Sequence, residues 1–222
     1  MGDVAVVCGG SGALGAAVVR AFRARGDRVV SADRRPLETA DGEVRSELVD
    51  LTAPEEVEAL WDRLSADGHA PRWLVNAAGG FRAGTVADTA PEDYRFLGAL
   101  NLDATWWSCR AAARRLPEGG AIVNVSARPA VAGGAGSAAY AVSKAAVLRL
   151  TQVLSDELRE RRVRVNAVLP SVLDTSANRS SMSQERMREA VSTDDVAAVV
   201  AFLCSDTARV VSGAAVPVYG WA

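Results

Sequence analysis

Apolar residues follow two alternating patterns along this 222-residue chain. Short runs rich in Val, Ala and Leu predict strands near 4–8, 28–32, 47–50, 72–77, 121–126, 163–168 and 214–218. Between them lie longer stretches whose apolar positions recur every three or four residues, predicting helices near 13–25, 54–66, 92–116, 137–160 and 193–204. Strand and helix in alternation argue for an α/β fold in which a parallel sheet is buried between helical layers. Right-handed crossovers then wind the sheet in both directions from a central pair of strands. No repeat or linker interrupts the pattern, so residues 1–222 read as a single domain. The segment 170–192, "PSVLDTSANRSSMSQERMREAVS", has only weak strand character; a long loop in a compact domain is often functional, and it is the candidate substrate lid.

Composition narrows the function by exclusion. Hydrophobic residues make up 49% and charged residues 23%, with a formal net charge of -2. That charge leaves no basic footprint for nucleic acid. No apolar run is long enough for a membrane span, and "MGDVAVVCGG" lacks the features of a signal peptide, so a cytoplasmic protein is expected. Cys8, Cys109 and Cys204 are widely spaced and His69 is the only histidine; no metal site is expected. His69, in the loop-like "ADGHAP", reads as a solvated residue rather than a catalytic base.

The first chemical signal is "VAVVCGGSGALG". Glycines directly after a strand and before a helix allow backbone to approach a pyrophosphate, which the helix N-terminus then stabilises. The spacing Gly9-x5-Gly15, with Gly10 and Gly12 between, is not a strict G-x-G-x-x-G. The next strand, "DRVVSAD", ends on Asp33, an acid placed to bond an adenosine ribose and to repel a 2′-phosphate. The order strand, glycine turn, helix, strand, acid predicts a dinucleotide site that favours NAD(H). Arg34 follows at once and is able to hold a 2′-phosphate, so NADP(H) stays open.

The second signal is "YAVSK", which sets Tyr140 and Lys144 four residues apart, on one face of a helix. A free tyrosine has a pKa of about 10, and a neighbouring ammonium favours its phenolate. With "CGGSGALG", "VNAAGG", "LNLDATWW" and "NVSAR" in the same order, the chain resembles the short-chain dehydrogenase/reductase family over essentially its whole length. The resemblance implies a Rossmann-type sheet and an NAD(P)-dependent oxidoreductase that moves hydride between the cofactor and a small carbonyl or alcohol substrate. Tyr140 would be the general acid/base, Lys144 would also bind the nicotinamide ribose, and Asn101 would hold a water of the proton relay. The cofactor would lie along Gly9, Ser11, Gly12, Ala13, Leu14 and Gly15, with Asp33 and Arg34 at the ribose. Asp50 and Leu51 would sit at the adenine end. Asn76, Ala77, Ala78 and Gly79 would shape the groove, and Pro170, Ser171, Val172 and Thr175 would lie beside the nicotinamide, Ser171 replacing the family's glycine. A homodimer or homotetramer is also implied, with Trp106 and Trp107 on a helix that often packs against a partner.

One hydroxyl is unsettled. The family's serine usually stands thirteen residues before the tyrosine, which here is Ala127, with Ser126 one position earlier. If "PAVAGGAGS" carries one extra residue, Ser126 takes that place; its glycines make such an insertion cheap, and Ser126 is the expected member of the site. Otherwise the site has no serine, a condition shared with dihydropteridine reductase, an NADH-dependent branch that "GGSGALG", "AAGGFRAG" and "VLPSVLDTSANRSSM" resemble. A quinonoid dihydropteridine is thus an alternative substrate. A different class, a catalytically retired nucleotide-binding regulatory or scaffolding protein, is favoured by Ala127 and Ser171 and opposed by the intact Tyr140 and Lys144.

Overall fold

The structure, a computed structural model, describes residues 2–37, 44–68 and 70–221; His69 lies outside the described residues. β1 (Val4–Cys8) has all five residues buried, as a strand covered on both faces requires. Its alternate side chains enter two cores: Val4, Val6 and Cys8 face one, Ala5 and Val7 the other. α1 (Ala13–Ala24) covers the second core with Leu14, Ala17, Val18 and Phe22, one stripe of a 3.6-residue period. β2 (Arg28–Asp33) and β3 (Arg45–Leu48) extend the sheet on one side. α2 (Pro54–Ala66) begins on a proline that gives up no needed N–H, has Glu55 and Glu56 at its positive end, and buries Val57, Leu60, Trp61 and Leu64.

β4 (Trp73–Asn76) pairs with β1 on its other edge, and β5 (Ala121–Val125), β6 (Arg164–Pro170) and β9 (Ala215–Val218) continue outward. The seven parallel strands run in the order β3-β2-β1-β4-β5-β6-β9. The direction of winding reverses between β1 and β4, so their carboxyl ends open a crevice, the place where ligands bind in open α/β sheets. α5 (Ala138–Glu157) and α8 (Thr193–Leu203) complete the helical layers, α8 packing on α1. Among the described residues no helix is long and apolar enough to cross a membrane.

Three stretches differ from the sequence expectation. The helix expected over 92–116 is α3 (Pro91–Leu97) and α4 (Ala104–Arg115), joined by a π-helical segment, Gly98–Asp103. Such wide turns recur at functional sites, and this one carries the buried Asn101. The strand expected at 47–50 ends at Leu48, because the Asp50 carboxylate accepts from the Thr52 N–H and hydroxyl and closes a turn. Residues 170–192 are not an open loop. β7 (Leu173–Asp174) and β8 (Val191–Ser192) pair in parallel, and between them stand α6 (Ser176–Ser181) and α7 (Gln184–Arg188), capped by Thr175 and Ser183.

Candidate active site

The glycine turn is built by close backbone approach. Gly9 has φ +80, and a Cβ there would lie 2.5 Å from the Ala78 nitrogen; one on Gly15 would lie 2.0 Å from the Gly9 carbonyl. The turn after β1 therefore rests against 77–79, and between them runs a groove of about 390 Å³ that continues past Asp33, Arg34, Asp50 and Leu51. Gly12 caps α1 without a side chain and no acid stands in its first turn, so the N–H groups of Ala13, Leu14 and Gly15 present an unneutralised positive end. Leu14 and Gly15 are buried and offer backbone alone. This fits a pyrophosphate.

At the far end, Asp33 accepts from the Ser11 N–H (3.2 Å), the Ser11 hydroxyl (2.6 Å) and the Arg34 N–H (2.7 Å). A carboxylate has about four lone-pair sites, so one is left for a ligand hydroxyl. The Arg34 guanidinium turns to Asp50 at 2.7 Å. The Thr52 hydroxyl bond foremost, then Arg34, hold the Asp50 carboxyl below its ordinary range. Asn76 does not enter the groove: its amide donates to Cys109 Sγ (3.3 Å) and Asn124 Oδ1 (2.8 Å), and Asn124 donates to Thr151, a buried polar chain under the crevice.

Lys144, Asn101 and Tyr140 lie around Gly79 and the start of α5. Lys144 is buried, and its Nζ donates to the Val125 carbonyl at 2.8 Å. A Cβ on Gly79 would lie 3.1 Å from that Nζ and 3.0 Å from Asn101 Oδ1, so the bare backbone of Gly79 leaves the groove open between them. Asn101 accepts from the Gly80 N–H (2.9 Å) and donates to the Gly80 carbonyl (3.1 Å) and the Ser143 hydroxyl (3.0 Å). Both amide hydrogens are spent, so the side chain ties the 79–80 turn to α5 rather than presenting a donor to a water. Ser143, not foreseen from sequence, passes the tie on to the Tyr140 carbonyl at 2.8 Å. Its place three residues after Tyr140 was the available signal.

Burial pushes the Tyr140 phenol up to about 12, while the Lys144 ammonium is turned to Val125 and burial brings it down to about 8. One expectation needs correction: Ser126 does not complete the site. It is 2% exposed and donates its hydroxyl to the Lys144 carbonyl at 2.8 Å, inside the sheet–helix packing. Ala127, with extended backbone, follows on the opposite face.

Beyond β6, Pro170 is buried and the Ser171 hydroxyl donates to the Tyr219 carbonyl at 3.0 Å, which accommodates a side chain where the resemblance expects glycine. The Val172 carbonyl accepts from Val191 (2.8 Å), and Thr175 accepts from the Asn178 N–H (3.2 Å). Thr52 and Leu100 also line the groove and went unforeseen, since neither lies in a glycine or acid pattern.

Residues 10–220 match the family described as "Enoyl-(Acyl carrier protein) reductase". The chain is 30% identical to D-threitol dehydrogenase of Mycolicibacterium smegmatis, over 96% of this chain and 90% of that protein. It is 32% identical to 3beta-hydroxysteroid dehydrogenase 1 of Eggerthella lenta, over 96% and 90%. A blue fluorescent protein from a metagenomic library, solved in complex with NADPH, superposes with a TM-score of 0.87 at 30% identity, covering 99% of this chain and 97% of that one. The match over residues 10–220 and these relatives show the family: the chain belongs to the short-chain dehydrogenase/reductase family of oxidoreductases.

Proposed function

We propose that this oxidoreductase moves hydride between a nicotinamide dinucleotide, NAD(H) before NADP(H), and a small carbonyl or alcohol substrate, with Tyr140 as proton donor and acceptor. The observation that carries the reading is a groove from the α1 N-terminus to Gly79, where a Cβ would lie 3.1 Å from the Nζ of the buried Lys144, one helical turn along α5 from Tyr140. Residues 9–15 would hold the pyrophosphate, Asp33 the adenosine ribose and Lys144 the nicotinamide ribose. Bound, the cofactor supplies or accepts the hydride and, when oxidised, adds positive charge. The phenol near 12 is protonated at neutral pH, the form that gives a proton to a carbonyl oxygen as the carbon is reduced. Lys144 near 8 is still mostly an ammonium at pH 7, and it would favour negative charge on the phenol oxygen by turning from the Val125 carbonyl toward Tyr140 one helical turn away.

Asp33 supports NAD(H), because a 2′-phosphate beside it meets like charge, while Arg34 is already paired with Asp50. With Ser126 committed to Lys144, Tyr140 is the one hydroxyl of the expected pair that remains for substrate. That favours, as a second reading, a substrate already primed for hydride, such as a quinonoid dihydropteridine. We also read the chain as a homodimer or homotetramer: Trp106 on α4 and Val142 and Val153 on α5 leave apolar surface exposed, whereas Trp107 packs on the core. Tyr140→Phe tests the assignment. Turnover should fall about 10²–10⁴-fold with cofactor affinity nearly unchanged; a variant that keeps most activity, or a wild type with no hydride transfer to any ketone, quinone or dihydropterin, refutes it.

A further inference from the structure

Tyr140 carries an aromatic contact that the chemistry of its hydroxyl does not by itself require. Phe81 meets Tyr140 edge to face, ring centroids 5.1 Å apart and planes at 73°. Such pairs have a preferred geometry and contribute beyond the area they bury. The loop that carries Phe81 is fastened at both ends. Gly80 is held by the Asn101 amide, and Gly84 donates to the Gly136 carbonyl (2.8 Å) and accepts from Ala138 (3.0 Å) at the start of α5. Arg82 adds a third anchor: it donates to the Phe81 carbonyl at 2.9 Å, lies 4.6 Å over the Phe96 ring and reaches Asp93 at 3.5 Å. Yet the Phe81 side is not sealed, for the residue is 51% exposed. The fastened loop thus holds an aromatic ring with one side against the phenol and about half of the residue exposed.

We propose that Phe81 positions Tyr140 and selects the substrate, its open surface stacking with a flat aryl ketone or aldehyde whose oxygen meets the phenol. This rests on the reading of Tyr140 as proton donor. Two consequences separate. Ring stacking with the substrate acts on binding and belongs in KM; holding the phenol ring acts on the chemical step and belongs in kcat. A single aromatic contact corresponds to roughly two- to twelve-fold in affinity.

The test compares wild type with Phe81→Ala, Phe81→Leu and Phe81→Tyr on acetophenone and cyclohexyl methyl ketone, which share a skeleton but differ in flatness. In parallel, calorimetry measures 1-phenylethanol and 1-cyclohexylethanol binding to the enzyme loaded with its preferred reduced cofactor, a readout that needs no turnover. Wild type should favour the aryl ligand by roughly three- to ten-fold in KM and Kd. Ala and Leu should erase that preference, Tyr should restore it, and Ala should lower kcat on both ketones by a few-fold. Leu keeps apolar bulk, so it separates the ring from mere packing should Ala disturb the fold. A wild type without aryl preference in binding, or a Leu variant that retains it, overturns the proposal. Tyr140→Phe retaining turnover overturns instead the assignment beneath it, so the two failures are told apart.

Discussion

Ser126 and Ala127 can be distinguished by a pair of substitutions whose expected effects differ in kind as well as size. In Ser126→Ala the hydroxyl that donates to the Lys144 carbonyl at 2.8 Å is lost. That carbonyl lies well inside α5, where an N–H one turn on already binds it, so nothing is orphaned. The loss is then the net value of one buried hydrogen bond, about 0.5–1.5 kcal/mol of stability. For a chain of this size 1 kcal/mol corresponds to a Tm lower by about 2–4 °C. A serine that bonded the reacting oxygen would behave otherwise, since removing one preorganised donor costs about 10²–10³ in rate, or ~2.7–4 kcal/mol of barrier. Scanning calorimetry and kcat/KM for ketone reduction therefore separate the two. We expect a lower Tm with kcat/KM within about three-fold of wild type, a factor smaller than 1 kcal/mol. Ala127→Ser, on the face that Ser126 does not use, should raise kcat/KM for an unactivated ketone. A hundred-fold loss in Ser126→Ala with Tm unchanged would show that the reasoning is wrong.

Lys144→Met tests the buried ammonium through stability. Its pKa falls from 10.5 to about 8 on folding, so the unfolded chain binds the extra proton between these values, and the lysine's contribution to stability rises with pH across that window. The wild-type-minus-variant difference from urea unfolding should gain about 1 kcal/mol per pH unit between pH 8 and 10; a flat difference refutes the desolvated lysine. Asp33→Ser, with Arg34 in place, should move the preference from NADH toward NADPH in side-by-side kcat/KM measurements. A wild type that already prefers NADPH assigns the selectivity to Arg34 instead.

Features carried by local periodicity are readable along the chain. The alternating destinations of "VAVVC" and the 3.6-residue stripe of α2 each follow from side chains a few positions apart. The Tyr140–Lys144 spacing is equally local. The π segment at Gly98–Asp103 leaves no such trace, because one shifted backbone bond changes no residue type. The role of Ser126 turns on whether β5 presents it to α5, a contact between residues 18 apart in sequence. The high phenol of Tyr140 depends on what covers it, including Phe81 from a loop nearly sixty residues away. The short helices at 176–188 are a different case: Thr175 and Ser183 are ordinary helix caps, but the helices behind them are too brief for a hydrophobic stripe.

The pairing of β7 with β8 gives this enzyme a replaceable part. Leu173 stands opposite Val191 and Asp174 opposite Ser192, so the chain leaves and re-enters at neighbouring rungs. Strand neighbours sit only about 4.8 Å apart, and the gap to be bridged is therefore the same whatever lies between. Lengthening or shortening the inserted helices alters closure entropy by merely ~0.6 kcal/mol per doubling. Neither β6, which sets Pro170, nor α8, which starts at Thr193, has to move. A descendant of this chain can exchange residues 176–190 wholesale while Thr175, both short strands and the sheet behind them are inherited untouched.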